Sequence, residues 1–396
     1  DPEYYVPVIS VDINNVMPVN DSATDKSVNM TWDIETRPLS METNPDPKNF
    51  KDKIFAICCT FHHINNPKPF CKVGIMWKKC NPTDCLDYLI TCSSEQEVII
   101  AFAKLVKSMR PDFMSDFNGC LFDQPFVVER MKLYKLTKHL ASMSCEKPTY
   151  RFQKDPTNIS EYYKKMSVKM EAGFNNQVDL LDIPGIIPID VRVVFRKLYK
   201  TSDQTSLNFF LKDNKLELKE DLPYKEMFAM WDRGNPEELP EILKYCVVDA
   251  QRCQELLVKK NIIINDRAKA TKSGDALYGC IHYADGVKVR NVLVTLNKPY
   301  SLAEHNVQAN YPYVFACAYT HNEKGGYKGA TVLQPLAGYY EIPVTALDYA
   351  SLYPNCAIAK NISPDCKIMD PELKEQMEKD GHRFYEAEPG VWFIQH

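Results

Sequence analysis

Near the start of the chain, Thr31-Trp32-Asp33-Ile34-Glu35-Thr36 alternates apolar and acidic residues with the period of a β-strand. Trp32 and Ile34 fall on one face, Asp33 and Glu35 on the other. This short stretch constrains the fold twice over. Its apolar face needs a core to pack against, and two carboxylates side by side repel each other unless a positive charge lies between them, for which a divalent cation is the usual answer. The plainer alternative is that both acids face water. Which holds depends on what else the fold brings to that face.

The remaining strand and helix signals define a mixed α/β chain. Residues 54–61 and 72–77 are apolar and strand-like, so three consecutive strands predict one antiparallel ribbon, with the Pro-rich residues 37–52 as a loop. Ser94-Glu95-Gln96-Glu97 is a capping box, and Val98, Phe102, Leu105 and Met109 follow at helical spacing as far as Arg110-Pro111. Residues 113–118 read as a strand running into a turn at Gly119, and residues 124–134 as a second helix. The polar residues 145–178 read as an inserted hairpin or long loop. A further helix starts near Asn235-Pro236, or at Pro240, and runs to about Lys260. Tyr245 and Asp249, four apart, then project from one face of it. Residues 266–300 read as mixed and linker-like, then mostly helical from Asp285. After a turn at 325–330 and a strand at 331–333, residues 345–350 predict a strand that turns at Ser351-Leu352-Tyr353-Pro354 into a short helix.

Composition narrows the functional classes. With 396 residues, 45% hydrophobic and 25% charged, the chain has the content of two or three globular domains. Its longest apolar runs, such as residues 98–103, are too short to span a membrane, and no signal-peptide pattern opens it. It begins at Asp1 and stops at His396 without capping signals, so a fragment of a larger protein is expected. Among fourteen cysteines there is no Cys-x-x-Cys. Cys80 and Cys85, with Cys71, His62 and His63 upstream, lack the paired short spacings of structural zinc, so free thiols in a reducing compartment are expected. The net charge of −4 does not announce a nucleic-acid binder. Basic clusters at Arg192, Arg196, Lys197 and Lys200, and at Lys132, Lys135, Lys138 and His139, suit either solvated helix faces or a phosphate-binding groove.

Four features fall in a fixed order: Asp33 and Glu35 on the first strand, Asn118 ahead of Phe122-Asp123 at a strand-to-helix junction, Tyr245 and Asp249 on a late helix, and Asp348 before Ser351-Leu352-Tyr353-Pro354. Each is weak alone; the order is specific. Asp33-Ile34-Glu35, Asn118-x-x-x-Phe122-Asp123 and Tyr245-x-x-x-Asp249 resemble the three exonuclease motifs of family B DNA polymerases. Asp348-Tyr349-Ala350-Ser351-Leu352-Tyr353-Pro354 looks like that family's first polymerase motif. The spellings around Tyr245-Cys246-Val247-Val248-Asp249-Ala250 and Tyr327-Lys328-Gly329-Ala330 are similar to the delta-like branch of eukaryotic replicases and large DNA viruses.

The resemblance implies a ribonuclease H-like 3′→5′ exonuclease domain over residues 30–266, preceded by an arm or the end of another domain at 1–29. A linker and the N-terminal part of a polymerase palm then follow over 267–396. It implies a two-metal hydrolytic site, with Mg²⁺ or substituting Mn²⁺ held by Asp33, Glu35, Asp123 and Asp249 and with Tyr245 orienting the attacking water. Asn118 and Phe122 would meet a single-stranded 3′ end; a core role suits Phe122 about as well, and the alternative for Asn118 is a turn residue ahead of Gly119. Asp348 would bind metal in the polymerase site, Ser351, Leu352 and Tyr353 an incoming deoxynucleoside triphosphate, and Tyr327, Lys328 and Gly329 the template strand. Primer-template DNA and a processivity factor or accessory subunit are the implied partners, in a nucleus or a cytoplasmic viral replication site. A second catalytic aspartate and a fingers lysine do not appear before His396, so polymerisation by this stretch alone is not expected. The rivals are a stand-alone exonuclease and a catalytically silent scaffold binding DNA or a subunit.

Overall fold

A computed structural model describes residues 25–40, 43–171, 174–199, 202–219, 221–296, 334, 336, 338–345, 347–363 and 366–395. The chain forms two compact units, Asp1–Thr295 and Leu296–His396.

The first unit is built on a six-stranded sheet. Strands β1 (Val28–Arg37), β2 (Lys53–His63) and β3 (Cys71–Trp77) form the expected antiparallel ribbon, with Asp33 opposite Cys58 and Glu35 opposite Ala56. β4 (Tyr88–Cys92) extends the outer edge parallel to β3. Helix α1 (Glu95–Met109) follows, its Ser94 hydroxyl accepting the Glu97 N–H at 3.2 Å. The reciprocal capping bond is displaced by one residue, because the Glu97 carboxylate accepts from the N–H of Ser93 rather than of Ser94. β5 (Phe113–Asp116) then lies parallel to β1.

Helices α2 (Asp123–Leu133), α3 (Lys138–Met143) and α4 (Tyr150–Lys154) lead to the hairpin of β6 (Tyr163–Glu171) and β7 (Phe174–Leu181), within the segment expected to hold one. β8 (Ile187–Asp190) closes the sheet beside β5, giving the order β4-β3-β2-β1-β5-β8. Helices α5 (Val191–Leu198), α6 (Leu207–Asp213), α7 (Tyr224–Arg233), α8 (Leu239–Lys259), α9 (Ile262–Ser273), α10 (Leu277–His282) and α11 (Asp285–Leu296) complete the unit. An antiparallel trio continued by parallel strands, with helices on both faces, is the α/β architecture of the exonuclease reading.

β1 is an interior strand, and the alternation of its side chains divides the core. Met30, Trp32 and Ile34 pack with Phe102, Val106, Phe126 and Met131 from α1 and α2. The Trp32 and Phe102 ring centroids lie 4.9 Å apart. On the opposite face α8 packs Leu243, Cys246 and Val247 against Phe55, Cys58 and Met76, and farther along packs Cys253, Leu256 and Leu257 against α5, α6 and α9. Asp33 and Glu35 therefore lie between β1 and α8. Glu35 retains only 8% of its exposure.

Two expectations are corrected. Residues 262–296 form three helices rather than a linker-like stretch that turns helical only at Asp285. Ile262 and Ile263 pack into the α8 core, which supplies the order that the polar composition of 266–275 does not announce. In the second unit, α12 (Leu352–Ala359) forms as expected, but 345 and 347–350 are not a strand. A strand needs a neighbour for its N–H and C=O groups. The unit's three-stranded sheet, of β9 (Lys367–Ile368), β10 (Arg383–Glu388) and β11 (Val391–Gln395), pairs only with itself among the described residues. Helix α13 (Pro371–Lys379) lies between β9 and β10 in sequence. The expected strand at 331–333 lies outside the described residues.

Candidate active site

Three elements deliver the acids. β1 supplies Asp33 and Glu35. α8 starts at Leu239 with Pro240 in its first turn, and one turn of that helix separates Tyr245 from Asp249. Asp123 is the first residue of α2, where the helix dipole favours a carboxylate. Asp33, Glu35, Asp123, Tyr245 and Asp249 line one cavity of about 580 Å³ together with Phe117, Asn118 and Phe122. A second cavity of about 740 Å³ shares Asp33, Phe117, Asn118 and Asp249, and continues past Arg192, Thr205, Ser206 and Lys219.

The electrostatics are those of acids crowded together. Burial and the nearby carboxylates of Asp123, Glu35 and Asp249 push the Asp33 carboxyl well above its ordinary range. Burial, then Asp249, pushes Glu35 up to about 8. Asp123 is pushed up to about 7 by burial, against the pull of backbone N–H groups. Burial raises Asp249 as well, although Lys219 opposes it. The Lys219 ammonium donates to Asp249 Oδ2 at 2.6 Å and to the Tyr245 hydroxyl at 2.8 Å, so a single cation answers several acids. Asp249 Oδ1 is buried with no hydrogen-bond partner among the described residues. An acceptor left bare in such a place costs free energy unless something positive completes it. Carboxylate atoms of Asp33 and Glu35 also lie within 4.8 Å of the Cys246 sulfur.

The loop carrying Asn118 is held from beneath by two further acids that sequence reasoning did not single out. Asp190, at the N-terminus of α5, accepts from the N–H groups of Asn118, Cys120 and Val193. Asp116 accepts from the Gly119 N–H at 3.1 Å and the Gln124 amide at 2.6 Å. Asn118 itself takes a left-handed φ of 68°, which its short polar side chain tolerates. A Cβ on Gly119 would stand 2.1 Å from the Asp116 carboxyl carbon, so only glycine fits there. Phe122 packs on the main core near Phe126, as the core alternative expects, and also lines the cavity. Lys219 was missed too, because a lysine in a polar run carries no local signal. Asp190, directly ahead of a helix, carried an N-cap signal that could have found it.

The remaining expected residues are not gathered in this way. Tyr327, Lys328 and Gly329 lie outside the described residues. Asp348 is exposed, Tyr353 is 77% exposed, and Ser351 precedes α12 with a left-handed φ of 53° and no side-chain capping bond. Every described cysteine is a free thiol, and no described helix is long and apolar enough to cross a membrane.

Comparison with known proteins agrees with the motif order. Residues 6–209 match the exonuclease domain of DNA polymerase family B, and residues 254–395 match DNA polymerase family B. The chain is 33% identical over 389 residues to the protein named DNA polymerase beta of African swine fever virus (isolate Tick/South Africa/Pretoriuskop Pr4/1996), covering 95% of this chain and 31% of that protein. It is 28% identical over 328 residues to the DNA polymerase delta catalytic subunit of Glycine max, covering 83% and 28% of the two chains. With the DNA polymerase catalytic subunit of human herpesvirus 8 it shares 25% identity over 336 residues, covering 84% and 30%. The chain thus spans about a third of the length of these curated relatives. Exonuclease domains of this kind generally use divalent metal ions, for which the acids between β1, α2 and α8 are the matching feature. On the matches to both domains, the chain belongs to the family B DNA polymerases.

Proposed function

We propose that this chain carries a 3′→5′ exonuclease that removes nucleotides from single-stranded DNA ends, as the proofreading part of a longer DNA polymerase. The observation that carries the reading is the convergence of Asp33, Glu35, Asp123 and Asp249 on one cavity, with Asp249 Oδ1 buried and unpartnered.

The donor set fits a pair of hard divalent cations. It consists of carboxylate oxygens whose protonation is raised by burial first and, for Asp33 and Glu35, by the neighbouring carboxylates second. Asp33, Glu35 and Asp249 would hold one ion, with Asp33 shared and Asp123 completing a second position; Mg²⁺ is the expected ion and Mn²⁺ a substitute. When bound, such ions supply an acidified water and neutralise charge on the leaving oxygen. The chain's own residues do the rest. Burial and the Asp249 charge raise the Tyr245 hydroxyl, so it stays a phenol and orients water rather than deprotonating it. Lys219 fixes that phenol and Asp249 in one arrangement, leaving little to reorganise when a strand arrives.

For the longer protein we propose DNA-directed DNA synthesis on primer-template DNA. Asp348 would be one metal ligand, Ser351, Leu352 and Tyr353 would bind the incoming nucleotide, and Tyr327, Lys328 and Gly329 would follow the template. Accessory subunits belong to the same proposal. The test of the nuclease is digestion of a 5′-labelled single strand in Mg²⁺, beside the double variant Asp33→Ala/Glu35→Ala. Stepwise shortening from the 3′ end that stops in the double variant and in EDTA is expected. Digestion that survives the double substitution would overturn the assignment.

A further inference from the structure

Arg192 is the one member of the basic cluster on α5 that the mechanism above leaves without a task while it lines the cleft. Its guanidinium makes three directed contacts. Nη1 donates to Asn118 Oδ1 at 2.6 Å, Nη2 to Thr205 Oγ1 at 2.9 Å and Nε to the Thr205 carbonyl at 3.3 Å. Asn118 and Thr205 belong to different walls of the same cavity, one following β5 and the other preceding α6. The Arg192 fork therefore ties the walls together.

The contact with Asn118 has a chemical consequence. A guanidinium carries only donors, so the amide atom facing it must be the oxygen, which removes the ambiguity that usually attends an asparagine. The Asn118 Nδ2 is then turned the other way, and no described residue accepts from it. Asn118 is half-buried and lines both cavities next to Asp33 and Asp249. What Arg192 presents to the cleft through Asn118 is a pair of N–H donors. Their complement is an acceptor without hydrogens, and of those that every nucleotide carries the charged phosphodiester oxygen is the strongest.

We propose that Arg192 is a positioning residue for the single strand: it locks the Asn118 amide with its N–H groups toward a backbone phosphate near the 3′ end, and it acts through Asn118 rather than by touching the strand. The proposal rests on the exonuclease reading for the identity of the ligand, but its test does not need hydrolysis.

The test is fluorescence anisotropy of a labelled oligothymidylate with the full chain, using Ca²⁺ in place of Mg²⁺. Arg192→Leu is expected to weaken binding about tenfold, as loss of one directed contact would. Asn118→Ala should weaken it by a similar factor, and the double variant should bind no more weakly than Asn118→Ala alone. Arg192→Lys should not rescue, since an ammonium keeps the charge but cannot span Asn118 and Thr205. The dependence of binding on salt should have the same slope with and without Arg192, because no phosphate is neutralised directly. Thr205→Val, which cuts one anchor and keeps both other side chains, should weaken binding about threefold and covers the case in which Arg192→Leu does not fold. Additive losses in the double variant, rescue by lysine, a shallower salt slope, or wild-type binding by both Arg192→Leu and Thr205→Val would each overturn the proposal, as would a wild-type chain that does not hold the strand. A chain that binds with this pattern yet digests nothing would sink the nuclease reading and leave the role of Arg192 standing.

Discussion

Replacing Glu35 by glutamine should make the metal-free protein more stable at alkaline pH. The Glu35 carboxyl is 8% exposed, and its ordinary value of 4.5 is pushed up to about 8, first by burial and then by the Asp249 charge. Below about pH 4.5 the folded and unfolded chains both hold the proton, and Glu35 costs nothing. As pH rises from there to about 8, the unfolded chain releases the proton while the folded chain keeps it, so stability falls steadily. Beyond that point the folded chain carries the buried charge, at a cost on the order of 4 kcal/mol. Glu35→Gln removes this charge at nearly constant shape.

Urea unfolding followed by tryptophan emission is the assay, since Trp32, Trp77 and Trp231 lie in the first unit and only Trp392 in the second. In EDTA at pH 8.5 the variant should exceed the wild type by roughly 3–4 kcal/mol, and at pH 4 the two should coincide. Mg²⁺ should close most of that gap, because an ion at a hundred times its Kd stabilises the wild type by about 2.7 kcal/mol and the variant has lost a ligand. A wild type equally stable at pH 5 and pH 8.5 in EDTA, or a variant that gains nothing there, would refute the view that burial, helped by the Asp249 charge, makes the Glu35 carboxylate costly in the folded chain.

Other substitutions probe the supports of the site. Lys219→Met removes the donor shared by Asp249 and Tyr245, and should lower kcat for single-strand digestion about a hundredfold with KM little changed; an equal shift confined to KM would show that Lys219 binds DNA instead. Arg130, fully buried, donates to both Glu95 carboxylate oxygens and to the carbonyls of Pro47 and Asn49, so it clasps the β1–β2 connection. Arg130→Met should therefore cost about 3–5 kcal/mol by leaving the Glu95 charge unpaired, and a urea midpoint within error of wild type would contradict that. Gly119→Ala drives a methyl into the Asp116 carboxylate and should cost about 1–3 kcal/mol in thermal unfolding while displacing Asn118. Undiminished single-strand binding by that variant would show that the loop accommodates the methyl elsewhere.

Much of the fold could be read from local pattern. The alternation at Trp32-Asp33-Ile34-Glu35, the capping box at Ser94 and the Tyr245–Asp249 spacing are one-dimensional signals, and each corresponds to an element that forms where its residues lie. The helices at 262–282 were hidden because their order comes from Ile262, Ile263, Ala270 and Cys280 being buried, not from a strong period of their own. The strand expected at 345–350 failed for the opposite reason: its pattern is sound, but ladder hydrogen bonds need a neighbouring strand.

For the candidate site the division is sharper. The acids proposed to carry the chemistry are picked out by their order in the chain and the resemblance it carries, while strand and helix periods fix that Asp33 and Glu35, and Tyr245 and Asp249, share a face. The supports do not follow in the same way. Lys219 stands thirty residues from Asp249 in the chain, Arg192 seventy-four from Asn118, and Asp190 seventy-two from the loop it holds. A side chain's partner across such distances is set by how helices dock on a sheet, and nothing in the residues between them encodes it. The sequence by itself determined the acids and their faces; the tertiary structure alone decided how far burial strains those acids and which donors answer them, since both depend on what packs around a charge rather than on what precedes it in the chain.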